Sequence, residues 1–172
     1  MRYVMVDIEA DGPVPGDYSM ISVGAVLVDK ALETTFYRRI RPISNQWMPD
    51  ALAISGFSRE QTLAFDDPAE VMPAFREWLN GIERGDCWFI ADNAGFDWGF
   101  VNWYFHRFCG TNPFGHNSDD LGSLYKGIVG DTTKDFEHLR VTRHTHNALE
   151  DAIGNAEALL RMRSELGLQI DL

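Results

Sequence analysis

Apolar and polar positions follow a strand-like rhythm in the first part of the chain and a helical one later. An apolar and aromatic run from Tyr3 to Val6 leads into Asp7, Ile8 and Glu9 and predicts a strand over residues 3–9. Residues 20–29 (MISVGAVLVD) are β-branched and apolar and predict a second strand; residues 34–41 (TTFYRRIR) alternate and predict a third. A turn-rich stretch, residues 11–17, joins the first two, and only residues 30–33 separate the next pair. Connections this short predict an antiparallel meander.

After Pro42 the rhythm changes. Residues 49–55 predict a short helix ending near Gly56, and Ser58 with Gln61 three positions on predicts a helix start. Asp67 and Pro68 open a longer amphipathic helix, with Val71, Met72, Phe75, Trp78 and Leu79 at helical spacing and Gly81 and Gly85 bracketing its end. Residues 87–91 (CWFIA) form a continuous apolar run, the mark of a buried parallel strand. Residues 94–109 predict an aromatic-rich helix, 114–117 a short strand, 120–129 a helix and 130–145 a long polar loop. The last helix opens at Asn147, with Glu150 three residues later and an apolar face of Leu149, Ala152, Ile153, Ala156, Leu159 and Leu160. Strands first, then alternating helix and strand, predict one α/β domain over residues 1–172 with a mixed sheet.

Three places in this pattern carry carboxylates at strand ends or helix starts. Alternation puts Asp7 and Glu9 on the same face of the first strand. Two such groups repel and resist desolvation unless divalent cations lie between them, and oxygen-only ligands suit Mg²⁺ or Mn²⁺. The plainer alternative is a carboxylate capping a turn at Asp11 and Gly12. Asp97 falls in the first turn after the buried strand, at the sheet edge where open α/β folds bind ligands, although acids are common there for helix-dipole reasons alone. His146 precedes the last helix and Asp151 lies just inside it, so the two can converge on one point.

Composition narrows the class. At 172 residues, with 45% hydrophobic and 24% charged, the chain has enough apolar mass for one substantial core. Two cysteines, Cys87 and Cys109, are too few for a disulfide scaffold and read as reduced thiols in a cytoplasmic protein. With acid at Asp7, no secretory leader is expected. The net charge of −11 argues against broad non-specific duplex binding but allows a local grip on nucleic acid.

The ordered set Asp7-x-Glu9, Asn93-x-x-Phe96-Asp97 and His146-x-Ala148-x-x-Asp151 resembles the three motifs of the DEDDh 3′–5′ exonucleases, the group that includes RNase T, oligoribonuclease and bacterial polymerase proofreading subunits. Residues 54–58 (ISGFS) resemble a short connector of that family, and the likeness spans residues 1 to about 163. It implies an RNase H-like five-stranded mixed sheet flanked by helices, strands one to three antiparallel and four and five parallel. It also implies two divalent cations, Mg²⁺ or Mn²⁺, held by Asp7, Glu9, Asp97 and Asp151. Asp7 would bridge them, with Asp97 acting through water and His146 serving as general base. The implied substrate is single-stranded nucleic acid with a free 3′ end and the implied assembly is a homodimer; RNA is expected ahead of DNA, because its 2′-hydroxyl offers an added donor and acceptor near the scissile bond. Candidates for gripping the terminal nucleotide are Ala10, Asn93, Phe96, Trp98, Trp47 and Arg143; two basic clusters, around Arg38, Arg39 and Arg41 and around Arg140 and Arg143, offer phosphate contacts against the alternative of solvated surface. Two features depart from the family. Ala10-Asp11-Gly12 replaces a threonine-containing run, and Asp92 stands where histidine is common. The competing classes are a silent binding module on the same fold and a purely structural carboxylate site, which leaves His146 without a task.

Overall fold

Strand pairing in the computed structural model, which describes residues 2–82, 86–170 and 172, begins with the meander that alternation predicts. Strands β1 (Arg2–Ala10), β2 (Met20–Leu27) and β3 (Thr35–Arg39) are antiparallel, with Asp7 opposite Gly24 and Glu9 opposite Ser22. The register slips between Glu9 and Ala10, a bulge at the point where β1 delivers its second carboxylate. Helices α1 (Pro49–Ile54), α2 (Arg59–Thr62) and α3 (Pro68–Asn80) follow. Ser58 and Gln61 cap α2 reciprocally, and Asp67 caps α3 through the Ala69 amide. The expectation placed on Gly85 lies outside the described residues.

Strand β4 (Cys87–Ala91) runs parallel to β1, and helix α4 (Ala94–Cys109) returns over the sheet. Strand β5 is Ser118–Asp120, parallel to β4, rather than the stretch 114–117. Phe114 is buried from a turn closed by Asn112, edge-on to Phe89 at 5.3 Å, so its apolar character serves the core and not a ladder. Helix α5 (Leu121–Val129) follows, capped by Asp120. The long loop contains one turn of 3₁₀ helix, Glu137–Leu139, anchored by buried Phe136 and Leu139. Helix α6 (Ala148–Leu166) closes the chain.

The sheet order is β3-β2-β1-β4-β5, the mixed five-stranded arrangement expected. Val4, Val6 and Ile8 face α3 and α4 with Phe36, Phe75, Phe89 and Phe100. Met5, Val26 and Ile90 face α5 and α6 with Ala152, Ala156 and Leu159. Asp7 and Glu9 continue the Met5 side, so alternation aims both carboxylates at α6. No helix among the described residues is long and apolar enough to cross a membrane. Cys87 and Cys109 are free and half-buried.

Candidate active site

Gly24 decides how close α6 comes to the sheet. A Cβ there would lie 2.3 Å from the backbone of Ala148 and Leu149. The first turn of α6 therefore rests on the bare backbone of β2, beside Asp7 on the next strand. Asn147 caps the helix, its Oδ1 accepting from the Leu149 and Glu150 amides. Glu150 does not reciprocate; its carboxylate takes the Thr145 hydroxyl at 2.6 Å.

This docking brings oxygens of Asp7, Glu9 and Asp151 within 4.8 Å of one another. Asp97 stands beside them, buried at the start of α4, with Oδ1 accepting the Ile8 amide at 3.0 Å. Burial is the chief force raising Asp7, Glu9 and Asp97, and repulsion from neighbouring acids adds to it. Glu9 is raised to about 8, with Asp151 and Asp97 contributing, and Asp97 to about 7. Asp7 rises well above the usual carboxylate range through burial and then through Asp97, Glu9 and Asp151. Asp92 adds a further acid and is raised by its own burial. A cluster of oxygen donors that is costly to ionise without a counter-charge fits hard divalent cations.

Asp151 is held by the loop before it. Its Oδ1 accepts from Arg140 Nη2 and the Thr145 amide, both at 2.9 Å, and its Oδ2 from the His146 amide at 2.8 Å. Arg140 and Asp151 are both almost fully buried, and Arg140 crosses α6 at Gly154, where a Cβ would lie 2.6 Å from its Nε. His146 has φ 59°, and its Nδ1 lies 4.0 Å from Glu9 Oε1 with the ring half exposed. His144 packs at 4.5 Å between ring centroids, its Nε2 3.5 Å from Asp151 Oδ2.

Beside Glu9 opens an apolar cleft of about 350 Å³. Ala10 and Phe96 line it, together with Gly12, Met48, Ala51 and Ile54. Trp98 is not among its walls; it turns inward and meets Phe89 edge-on at 5.0 Å. Trp47 precedes Met48 and carries the Arg59 guanidinium 5.8 Å above its ring. Asn93 is exposed and makes no side-chain cap; Asp120 Oδ2 takes the Ala94 amide instead. Arg143 is exposed on the loop leading to His146. Asp11 neither faces the cleft nor caps an open turn: it is fully buried, accepting from the Ser19 amide at 2.6 Å and Arg59 Nη1 at 2.8 Å. This pair ties α2 to the end of β1, and the Asp11 carbonyl holds the Met48 amide at 2.8 Å.

Five of these residues escape motif reading. Gly24 and Gly154 show only as glycines inside an apolar strand and a helix, which signal close backbone approach. Arg140 sits in a cluster that reads as solvated surface. Met48 and Ile54 are exposed apolar residues at the two ends of a short helix, a pattern that marks a binding groove only once Phe96 faces it.

Residues 4–159 match the protein family described as an exonuclease of RNase T type. The chain is 39% identical over 176 aligned residues to the 3′-5′ DNA exonuclease Cap18 of Escherichia coli, covering 95% of this chain and 92% of that protein. The fold is similar to the nuclease domain of 3′hExo, a DEDDh family member bound to rAMP, with TM-score 0.71, 16% identity and coverage of 99% and 96%. It is also similar to Escherichia coli Exonuclease I in complex with a dT13 oligonucleotide, with TM-score 0.74 and 16% identity over 96% of this chain and 42% of that one.

Proposed function

The chain belongs to the RNase T exonuclease family, and on that premise we propose that it removes nucleotides one at a time from single-stranded 3′ ends, releasing nucleoside 5′-monophosphates. The observation that carries this reading is the juxtaposition of the Asp7, Glu9 and Asp151 carboxylates with an apolar cleft that ends at Glu9. One feature chelates cations; the other accepts a base and sugar, and a terminal nucleotide spans both.

Asp7, Glu9 and Asp151 would hold the divalent cations, with Asp97 reaching them through water. Bound cations supply Lewis-acid stabilisation of the attacking and leaving oxygens. Phe96, Met48 and Ile54 receive the terminal nucleoside and exclude water from one side of the bond. His146, half exposed at the lip of the carboxylates, accepts the proton from the attacking water. The water oxygen bonds to phosphorus, the bond from phosphorus to the penultimate 3′ oxygen breaks, and that oxygen takes up a proton from solvent water as it leaves. Arg140 holds Asp151 in position throughout.

For the sugar, the 39%-identical relative named as a DNA exonuclease favours DNA over the RNA preference expected from sequence. A gel of 5′-labelled RNA and DNA of one sequence, with Mg²⁺ or Mn²⁺, tests the reading. We expect 3′-end ladders, fastest on DNA, that vanish in Asp7→Asn. Cleavage of a circular strand, or a ladder shared by the variant, would overturn it; faster loss of RNA would reverse the sugar assignment alone.

A further inference from the structure

The sheet carries a charge gradient across the face that bears the carboxylates. In register, Glu9 pairs with Ser22 and Ser22 with Arg39, while Asp7 pairs with Gly24 and Gly24 with Tyr37. Tyr37 and Arg39 therefore stand on the same face as Asp7 and Glu9, about 10 Å away across two strand spacings. On the other flank, where β4 and β5 end, Asp92 and Asp120 add negative charge beside Asp97, and Glu137 adds to it beside Asp92. Arg140 on that flank is spent on Asp151. A polyanion leaving the carboxylate cluster meets several acids in one direction; in the other it passes Glu150 near Tyr37 and reaches free arginine.

The β3 edge is built to keep that arginine in place. The Arg39 guanidinium lies 5.1 Å from the Phe65 ring centroid and 6.0 Å from that of Phe57. Those two rings meet edge to face at 5.0 Å. Arg41 is already paired with Asp67, and Arg38 belongs to the opposite face, over Phe36. Arg39 has no carboxylate within ion-pair reach among the described residues. It lines a groove of about 230 Å³ with Tyr37 and Phe65; Arg38, whose guanidinium donates to the Tyr37 carbonyl, and Asp66 also stand on its wall.

We propose that this edge, Arg39 on its phenylalanine pair with Tyr37 beside it, seats the strand on the 5′ side of the scissile bond. Arg39 meets a phosphate, and Tyr37 and the exposed part of Phe65 offer faces to bases. The inference rests on the exonuclease reading and adds to it the direction in which the uncut strand leaves. Stacking holds the guanidinium without neutralising it, so a phosphate gains the full charge.

The test compares kcat/KM on an oligodeoxynucleotide dinucleotide and a dodecamer, with Mn²⁺ present, in wild type, Arg39→Gln, Arg39→Lys and Arg143→Gln. In Arg39→Gln the dodecamer should lose about tenfold more than the dinucleotide, the scale of one charge-assisted contact. The slope of log affinity against log salt for the dodecamer should shallow by about 0.7, one phosphate's share on a single strand. Arg39→Lys should keep that slope. Equal losses on both substrates, or a loss of length dependence in Arg143→Gln but not in Arg39→Gln, would overturn the proposal. If the wild type shortens neither substrate, the exonuclease reading itself falls, and this inference with it.

Discussion

His146 holds its backbone at φ 59°, in a region that costs a residue with a Cβ of order 1–3 kcal/mol. The site over-determines it: its amide is bound to Asp151, and Asp151 is pinned by Arg140 and Thr145. A strained histidine beside carboxylates is the residue to test first. His144, 4.5 Å away, is the natural control. His146→Ala should lower turnover by about 10²-fold, the usual contribution of a general base, while cation binding followed by calorimetry persists. His144→Ala should cost a small fraction of that. Equal losses in the two variants would remove His146 from the base role.

At the scale of elements, the site exists because α6 docks against β2 without a side chain between them. Gly24→Ala would place a methyl 2.3 Å from the helix backbone, and neither a capped first turn nor a central strand can yield without cost. Overpacking of this kind destabilises by about 1–3 kcal/mol. Because the displacement moves Asp151 away from Asp7, turnover should fall alongside the melting temperature. Gly99 in α4 offers the contrast: a Cβ there meets nothing within 4 Å. Gly99→Ala should raise stability by about 0.4–1 kcal/mol and leave turnover as it was. A Gly24→Ala protein with full activity would show that the docking distance does not matter to the chemistry.

Across the whole molecule, the carboxylate cluster couples folding to pH and to cations. Glu9 at about 8 and Asp97 at about 7 lie above their ordinary values of 4.5 and 3.8. The folded chain thus retains protons that the unfolded chain has released. The stability these groups contribute is complete below about pH 4 and is lost as pH rises through 7 to 8. In chelator, the melting temperature should therefore decline from pH 5 to pH 8. Mg²⁺ or Mn²⁺, which binds the deprotonated cluster of the folded state, should raise it by an increment that grows over the same range. A melting temperature in chelator that is flat or rising across this window would contradict the repulsion assigned to the cluster.

Local pattern determined much of this protein. Alternation marked β1 to β3, helical spacing marked α3 and α6, and alternation alone put Asp7 and Glu9 on one face. The order of three short motifs pointed to the exonuclease family. These features are legible because each depends on neighbours within a few positions. What the sequence could not say is what lies across from a side chain. Asp11 and Asp7 are both acids near the end of one strand, yet one is neutralised by Arg59, far along the chain, and the other faces α6. Phe96 and Trp98 are two aromatics in one helical turn, and only the sheet beneath α4 sends Trp98 inward and leaves Phe96 at the cleft. Phe114 looked like a strand residue until the core took it and polar Ser118 paired with Phe89 in its place. Arg140 read as surface until Gly154 opened a place for it against Asp151. In each case burial and ion pairing between segments remote in sequence made the choice, and those energies belong to the folded chain as a whole.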